Sequence, residues 1–407
     1  MFDFKKSYDI AVAGAGVSGI TAALAAARMG KKVVLIEKQA ITGGLATSGM
    51  IIIYLPLCDG KGRQVTFGLA HELMTETLKF SPCRLGKRWG GEGGEGVRER
   101  MAAPFSPAAM VIAAEKMLSE AGVDLWYDTL ICKTVSEGNR ITALEVENVS
   151  GRGLIESSCF VDATGDAGLL RRAGAPVVTG HNTNGSTLWF MAGNPDSQRR
   201  YPLGENVNIQ TIPIFKEIDL DEKATLSGKG VTDFLRTSHR AVYEHYTGLY
   251  AGKPQEKFKY HPLFLPGMPL FRKIAHIVPR TAVHAEDFNI RREDSIGLAG
   301  DWRSSGKIWE TPYGALLPRD FEGVLAAGRN IGSYDDAWEA FRVIPAAAMT
   351  GEAAGTAAAL SVAAGCLPSQ LDISLLRNKL AGNGFVFHID DLPPVASSEA
   401  QDHFTEE

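Results

Sequence analysis

IAVAGAGVSGITAALAAARMGKKVVLIE, residues 10–37, is the stretch on which the fold turns. An apolar run, Ile10 to Ala13, ends at Gly14, Gly16 and Gly19. An alanine-rich segment with helical composition follows and stops at Gly30. A second apolar run, Val33 to Ile36, ends at Glu37. Strand, glycine turn, helix, strand and acid in this order form the dinucleotide fingerprint in its required context. Gly14 permits the tight turn, Gly16 lets backbone approach a pyrophosphate, and Gly19 lets helix and strand pack closely. The helix N-terminus offers unpaired N–H groups and a positive dipole end to phosphates. The turn Gly14, Ala15, Gly16, Val17, Ser18 and Gly19 is therefore the expected phosphate contact, and Glu37 with Lys38 the expected ribose contact. The plainer alternative is a βαβ turn whose glycines serve packing alone.

The fingerprint does not choose between NAD and FAD. Four further segments bear on that choice. KQAITGGLATSGM, residues 38–50, places Gly43, Gly44 and Leu45 where a second piece of backbone can approach a cofactor. VDATGD, residues 161–166, is a strand end running into Ala163, Thr164, Gly165 and Asp166. VLAAGRNIG, residues 324–332, again takes a strand into a glycine turn, at Gly328, Arg329 and Asn330. RVIPAAAMTGEAAGTAAAL, residues 342–360, is a small-residue helix beginning near Pro345 and Ala346, with Arg342 just before it. Its first N–H groups can face negative charge developing on a ring.

Together these segments resemble the FAD-dependent oxidoreductases among the glutathione-reductase-like flavoproteins, in the branch that includes fumarate reductase. The likeness runs from about residue 8 to about residue 365 and is firmest at both ends. It implies an α/β fold: a three-layer, Rossmann-like FAD-binding domain whose parallel sheet carries an inserted three-stranded β-meander, plus a smaller α+β substrate domain. It implies FAD as cofactor, with adenosine on the N-terminal unit and the flavin ring near Gly43, Gly44, Arg329 and the helix after Pro345. One full fingerprint argues against a separate nicotinamide domain.

Composition bounds the remaining choices. The 407 residues are 45% hydrophobic and 22% charged, the balance of a globular protein with ample core. Net charge is −5 and basic pairs occur but no long basic run, so no nucleic-acid partner is expected. MFDFKKSYD has no apolar h-region and no long uncharged apolar run follows, so neither a signal peptide nor a membrane partner is expected, and the expected location is the cytoplasm. Five widely spaced cysteines, with no CxxC pair, read as reduced thiols. The nine histidines show no HxH or HExxH spacing, so no metal site is expected.

Pattern divides the chain into a discontinuous FAD-binding domain, 1–180 with 291–386, a substrate domain, 181–290, and a loose tail, 387–407. Helices are expected near 64–80, 107–121 and 231–247. Strands are expected near 124–135, 140–148 and 153–160, then near 186–192, 207–215 and 271–278. The glycine-rich stretch 84–98 reads either as an active-site flap or as a surface loop.

Flavin chemistry asks the protein for a positioned substrate, a proton carrier and positive charge. Three side chains are candidates for catalysis. Arg280 and His284, four apart, share a face on either a helix or a strand. Tyr313, in WETPYGALLP (309–318), can donate to a substrate oxygen. The competing reading is an ion pair for Arg280 and His284 and a satisfied core hydroxyl for Tyr313. The expected function is hydride transfer between flavin and a small organic substrate, with a carboxylated or hydroxylated one fitting the polar candidates and the electron acceptor left open. The alternatives are a flavin-containing RNA-modifying protein, an electron-transfer subunit without its own turnover, and a flavin monooxygenase.

Overall fold

In a computed structural model, residues 2–81, 102–180, 186–193, 209–216, 224–258 and 260–392 are described. The first unit forms as the pattern requires: β1 (Phe4–Ala13), α1 (Val17–Arg28) and β2 (Val33–Ile36). A short antiparallel pair, β3 (Ile53–Tyr54) with β4 (Ala103–Pro104), brackets α2 (Gly68–Leu78), and α3 (Pro107–Glu120) leads back to the sheet.

The stretch expected as one strand over 124–135 is two. β5 (Asp124–Trp126) joins the parallel sheet beside β2, and β6 (Leu130–Glu137) starts the meander. Asp128 breaks the run with a left-handed φ of 46°, a conformation that Asp adopts more readily than most residues. The meander continues through β7 (Arg140–Asn148) into β8 (Gly151–Asp162). β8 is longer than expected and serves two structures. Its first half pairs antiparallel with β7, while nearly its whole length runs parallel to β1.

After β8 come α4 (Gly168–Arg172) and β9 (Val177–Thr179). The next region holds β10 (Ser186–Gly193), β11 (Ile209–Lys216), α5 (Gly228–Tyr250) and β12 (His261–Phe264). These strands make a separate antiparallel sheet in the order β11-β10-β12. The chain returns through β13 (Ala275–Ile277), which pairs with β9 rather than extending over 271–278. The antiparallel pair β14 (Ser295–Gly300) and β15 (Ile308–Pro312) follows. β16 (Val324–Ala326) then adds to the far half of β8, parallel to it. Helices α6 (Asp335–Phe341), α7 (Ile344–Ala364) and α8 (Ile373–Gly382) close the described chain. The seven-stranded main sheet thus runs β5-β2-β1-β8-β7-β6, with β16 also on β8. The glycine-rich stretch 84–98 lies outside the described residues.

Helix α1 is buried on every side from Val17 to Ala27, which explains why it is nearly all alanine, glycine and other small residues. One side lies on the sheet. The other lies against α7, and the two helices touch through backbone. A Cβ at Gly351 would stand 2.2 Å from the Ser18 carbonyl oxygen, and one at Gly355 2.1 Å from that of Ala22. Thr21 Oγ1 donates across the contact to the Ala348 carbonyl at 2.8 Å.

Residues 387–392 are held, contrary to the loose-tail expectation. Glu310, buried, accepts from His388 Nδ1 at 2.8 Å and from the Ile389 N–H at 2.9 Å. Ser295 Oγ donates to the Phe387 carbonyl. Residues 393–407 lie outside the described residues.

Gly351→Ala is expected to cost about 1–3 kcal/mol by forcing the two helices apart. The loss reads out as a lower urea midpoint at unchanged slope. Gly382→Ala, where nothing stands within 4 Å of the new methyl, is the control and should not destabilise. Equal losses from both would refute the close-contact account.

Candidate active site

The carboxyl ends of β1, β2 and β8 open onto a cavity of about 420 Å³. Open α/β sheets bind ligands at this edge. The cavity is lined by Gly14, Gly16, Val17 and Ser18 from the fingerprint, and by Glu37 and Lys38 after β2. Gly43, Gly44 and Leu45 form another wall, Ala163, Thr164, Gly165 and Asp166 a third, and Arg329 and Arg342 line it as well.

The fingerprint turn is held from both sides. Gly14 takes a φ of 92°, and a Cβ there would stand 2.8 Å from the Ala163 carbonyl oxygen. The Ala15 N–H donates to Glu37 Oε2 at 2.7 Å, and the Gln39 N–H donates to Glu37 Oε1 at 2.9 Å. Burial pushes the Glu37 carboxyl up, opposed by these backbone donors. The Gly43 N–H donates to the Ala15 carbonyl at 2.7 Å, which pins the second glycine loop to the first. Asp162, buried at the end of β8, accepts from the Thr164 N–H and hydroxyl and from the N–H groups of Leu169 and Leu170. It thereby shapes the VDATGD turn and caps α4.

Six of the predicted residues stand behind the lining rather than in it. They are Ala15, Gly19, Gly328, Asn330, Pro345 and Ala346. Gly19 packs on the Gly14 backbone, where a Cβ would come within 1.8 Å of the carbonyl oxygen. The Gly328 N–H donates to Thr350 Oγ1, and Asn330 Nδ2 donates to the Asp162 carbonyl. Pro345 and Ala346 belong to the first turn of α7.

Two helix N-termini open into this one cavity. The N-cap of α1 is Gly16 and that of α7 is Val343; neither supplies a side-chain cap, and neither first turn contains an acid. Val17 and Ser18 of one helix, and Ile344 and Ala347 of the other, line the cavity. Uncapped N–H groups with a positive dipole end suit anionic groups. Open space lies over Gly16, where a Cβ would meet nothing within 4 Å.

Two guanidinium groups add positive charge. Arg329 donates from Nη1 to the Phe271 carbonyl, and burial pulls its pKa down to about 10. Arg342 donates from Nε to Glu339 Oε2 at 2.8 Å and lies over the Trp302 ring, 5.8 Å from its centroid. Glu339 also receives Lys273 Nζ at 2.9 Å. Burial works against the Glu339 charge, yet Arg342 and Lys273 hold its carboxyl below the usual range.

The three candidate catalytic side chains are engaged elsewhere, and none lines the cavity. Arg280 forms an ion pair with Glu322. His284 stacks on Tyr334, with ring centroids 4.9 Å apart. Tyr313 is buried and donates to the Pro368 carbonyl at 2.9 Å. Nor do the two buried thiols, Cys58 and Cys159, favour nucleophilic chemistry: burial pushes both up to about 12. Several lining residues escaped the sequence reading. Thr129, Leu130 and Ile131 wall the cavity just after the Asp128 break, inside the stretch expected as one strand. Met268, Pro269 and Phe271 close another side.

A family model described as FAD dependent oxidoreductase matches residues 9–257 and 281–380. The chain belongs to that family. That family is one of FAD-dependent oxidoreductases. L-Aspartate oxidase of Mycobacterium tuberculosis, and likewise that of Mycobacterium bovis, is 27% identical over 219 residues, covering 47% of this chain and 41% of the relative. The chain therefore matches less than half the length of these curated relatives. Among solved structures, a geranylgeranyl bacteriochlorophyll reductase-like protein from Thermoplasma acidophilum aligns over 94% of this chain and 84% of its own. The TM-score is 0.50 and the identity 15%. The p-nitrophenol 4-monooxygenase of Pseudomonas putida aligns over 92% and 84%, with TM-score 0.50 and 10% identity. At these identities the likeness is one of fold.

A second cavity, of about 320 Å³, lies on the far side of α7 among α1, α2 and α8. Glu352 is buried at its edge and accepts from the Leu69 N–H at 2.5 Å and from Asn383 Nδ2 at 2.8 Å. Gly68 is required there, since a Cβ would stand 2.4 Å from Glu352 Oε2. Burial pushes the Glu352 carboxyl up to about 7, opposed by those two donors.

Two outcomes follow. A carboxyl whose pKa rises on folding favours the fold most below its unfolded value, near 4.5, and that contribution is lost as pH climbs through about 7. Glu352→Gln should therefore flatten the fall in stability between pH 5 and pH 8, a span on the order of 3 kcal/mol. Urea midpoints across that range would show it, and an unchanged slope would rule it out. Tyr313→Phe should cost about 1–3 kcal/mol through the stranded Pro368 carbonyl while leaving flavin content unchanged. A large drop in flavin content would instead return Tyr313 to the site.

Proposed function

We propose that this enzyme moves a hydride between FAD and a small organic substrate that carries a carboxylate or hydroxyl group. The observation that carries the reading is the pair of uncapped helix N-termini facing one cavity, with Arg342 held in its wall. FAD, when bound, supplies the two-electron chemistry. The chain's own residues bind, orient and exclude water.

In this reading the first N–H groups of α1 take the pyrophosphate over Gly16. Glu37, oriented by Ala15 and Gln39, takes the ribose hydroxyls, with Lys38 and the Thr129–Ile131 wall beside the adenine. The Gly43–Leu45 loop and the first turn of α7 border the ring, with Arg329 and Arg342 balancing its charge. Arg342 is also the group placed to hold a substrate carboxylate. Glu339 fixes its fork from one side and the Trp302 ring supports its plane. Region 181–290 acts as the substrate domain, and Met268, Pro269 and Phe271 exclude water from the reacting end. The partial relation to proteins named L-aspartate oxidase supports a substrate bearing a carboxylate. The net charge of −5 speaks against RNA as substrate.

The test begins with the absorption spectrum of purified protein before and after acid precipitation. Flavin bands that move to the supernatant are expected. Anaerobic titration with a panel of small hydroxy, amino and dicarboxylic acids should then bleach the bound flavin for at least one of them. Arg342→Ala should raise the half-saturating concentration about 10- to 100-fold, the worth of a lost charge-assisted hydrogen bond. A yellow protein that no member of the panel bleaches sinks the substrate reading. A colourless protein that refuses added FAD sinks the site as well.

A further inference from the structure

KPQEKFKYHPLFLPGMP, residues 253–269, joins two surfaces that the flavin reading leaves unrelated. Its last three residues, Gly267, Met268 and Pro269, line the cofactor cavity, and the Gly267 N–H is fixed to the Ser48 carbonyl at 2.8 Å. Immediately before them the chain is apolar and open to solvent. Phe258 is 78% exposed and Phe264 60%, while Leu263 and Leu265 are also exposed. Four large apolar side chains left exposed within eight residues of chain mark an interaction surface.

Three features select the occupant. Leu263 and Phe264 are adjacent residues of β12, so they point to opposite sides of the strand. Both are exposed, Phe264 more so than Leu263, which suits a fluid apolar phase better than a single protein face. β12 is an edge strand, and Pro262 removes a donor from that edge, which disfavours pairing with another strand. Finally, the segment carries Lys253, Lys257 and Lys259 against one acid, Glu256, in a chain whose net charge is −5. Lys253 and Lys257 are exposed, and Lys257 lies over the Phe258 ring. Lysines interleaved with exposed aromatic and aliphatic residues match an anionic lipid surface.

We propose that residues 253–265 dock this enzyme peripherally on an anionic bilayer, with the wall of the cofactor cavity at the lipid boundary. Phe258, Leu263, Phe264 and Leu265 enter the headgroup region, and the exposed Lys253 and Lys257 meet lipid phosphates. This does not depend on the substrate assigned above. It adds a surface contact to a chain in which, among the described residues, no helix is long and apolar enough to cross a membrane.

Flotation of the full-length, flavin-loaded protein tests it. The vesicles are phosphatidylcholine alone, or phosphatidylcholine with 30 mol% (about one lipid in three) phosphatidylglycerol. At low salt the protein is expected to float with the anionic vesicles at least about tenfold better than with the neutral ones, and to lose most of that binding in about 0.5 M salt. Phe258→Ser with Phe264→Ser, and separately Lys253→Glu with Lys257→Glu, should each lower binding about tenfold or more. All four positions are exposed, so the melting temperature and flavin content should hold and show that each variant is folded. No flotation of the native protein overturns the proposal. So does flotation that neither pair of substitutions reduces. Sedimentation that shows a dimer, dissolved by the phenylalanine pair and indifferent to vesicles, would assign the patch to a second copy and also overturn it.

Discussion

Everything in the cofactor site depends on how closely two helices cross. Gly351 and Gly355 bring the α7 backbone onto the carbonyls of Ser18 and Ala22, a separation that leaves no room for a methyl group. That approach places the start of α7 beside the start of α1, so two uncapped N-termini share one cavity. An ordinary interhelical distance of about 8–10 Å, set by side chains, would move one of those termini away. The alanine-rich composition of both helices is the price of this geometry. Neither has a polar face to give to water, and each must be covered on every side.

The buried acids of this protein are mostly architectural. Asp162 ties the VDATGD turn to the first N–H groups of α4. Glu352, in the middle of α7, receives an N–H from the first turn of α2, which has no cap of its own. Glu37 receives one backbone N–H on each oxygen while still facing the cavity. In each case the carboxyl accepts at least one backbone N–H and forms no direct ion pair among the described residues, and burial raises its pKa. A perturbed acid in this fold is therefore weak evidence for chemistry unless it also lines the cavity.

What the sequence revealed and what it hid follow from the range of the interactions. The fingerprint unit was legible because its glycines, helix and acid all act within 28 residues of one another. The AGR turn and the small-residue helix were legible as further pieces of the same site. The break at Asp128 was not, because the flanking residues carry strand-forming side chains and only a local φ reversal separates them. Arg280, His284 and Tyr313 were singled out by residue type and spacing. Their partners, Glu322, Tyr334 and Pro368, lie 42–55 residues away and leave no mark on spacing. Asp162 escaped for a similar reason: an acid at the end of an apolar strand reads as the beginning of a loop until the helix it caps is seen.

The sheet also imposes an order on synthesis. β8 receives β1 on one side from the beginning of the chain and β16 on the other from near its end. α1 likewise waits for α7, which lies roughly 300 residues downstream and, at 5–20 residues per second, leaves the ribosome about 15–60 s later. During that interval a helix that is apolar all round has only half of its partners. The nascent chain therefore carries a sticky, unfinished nucleotide-binding unit until α7 is made, and its escape from aggregation hinges on what shields α1 in that interval.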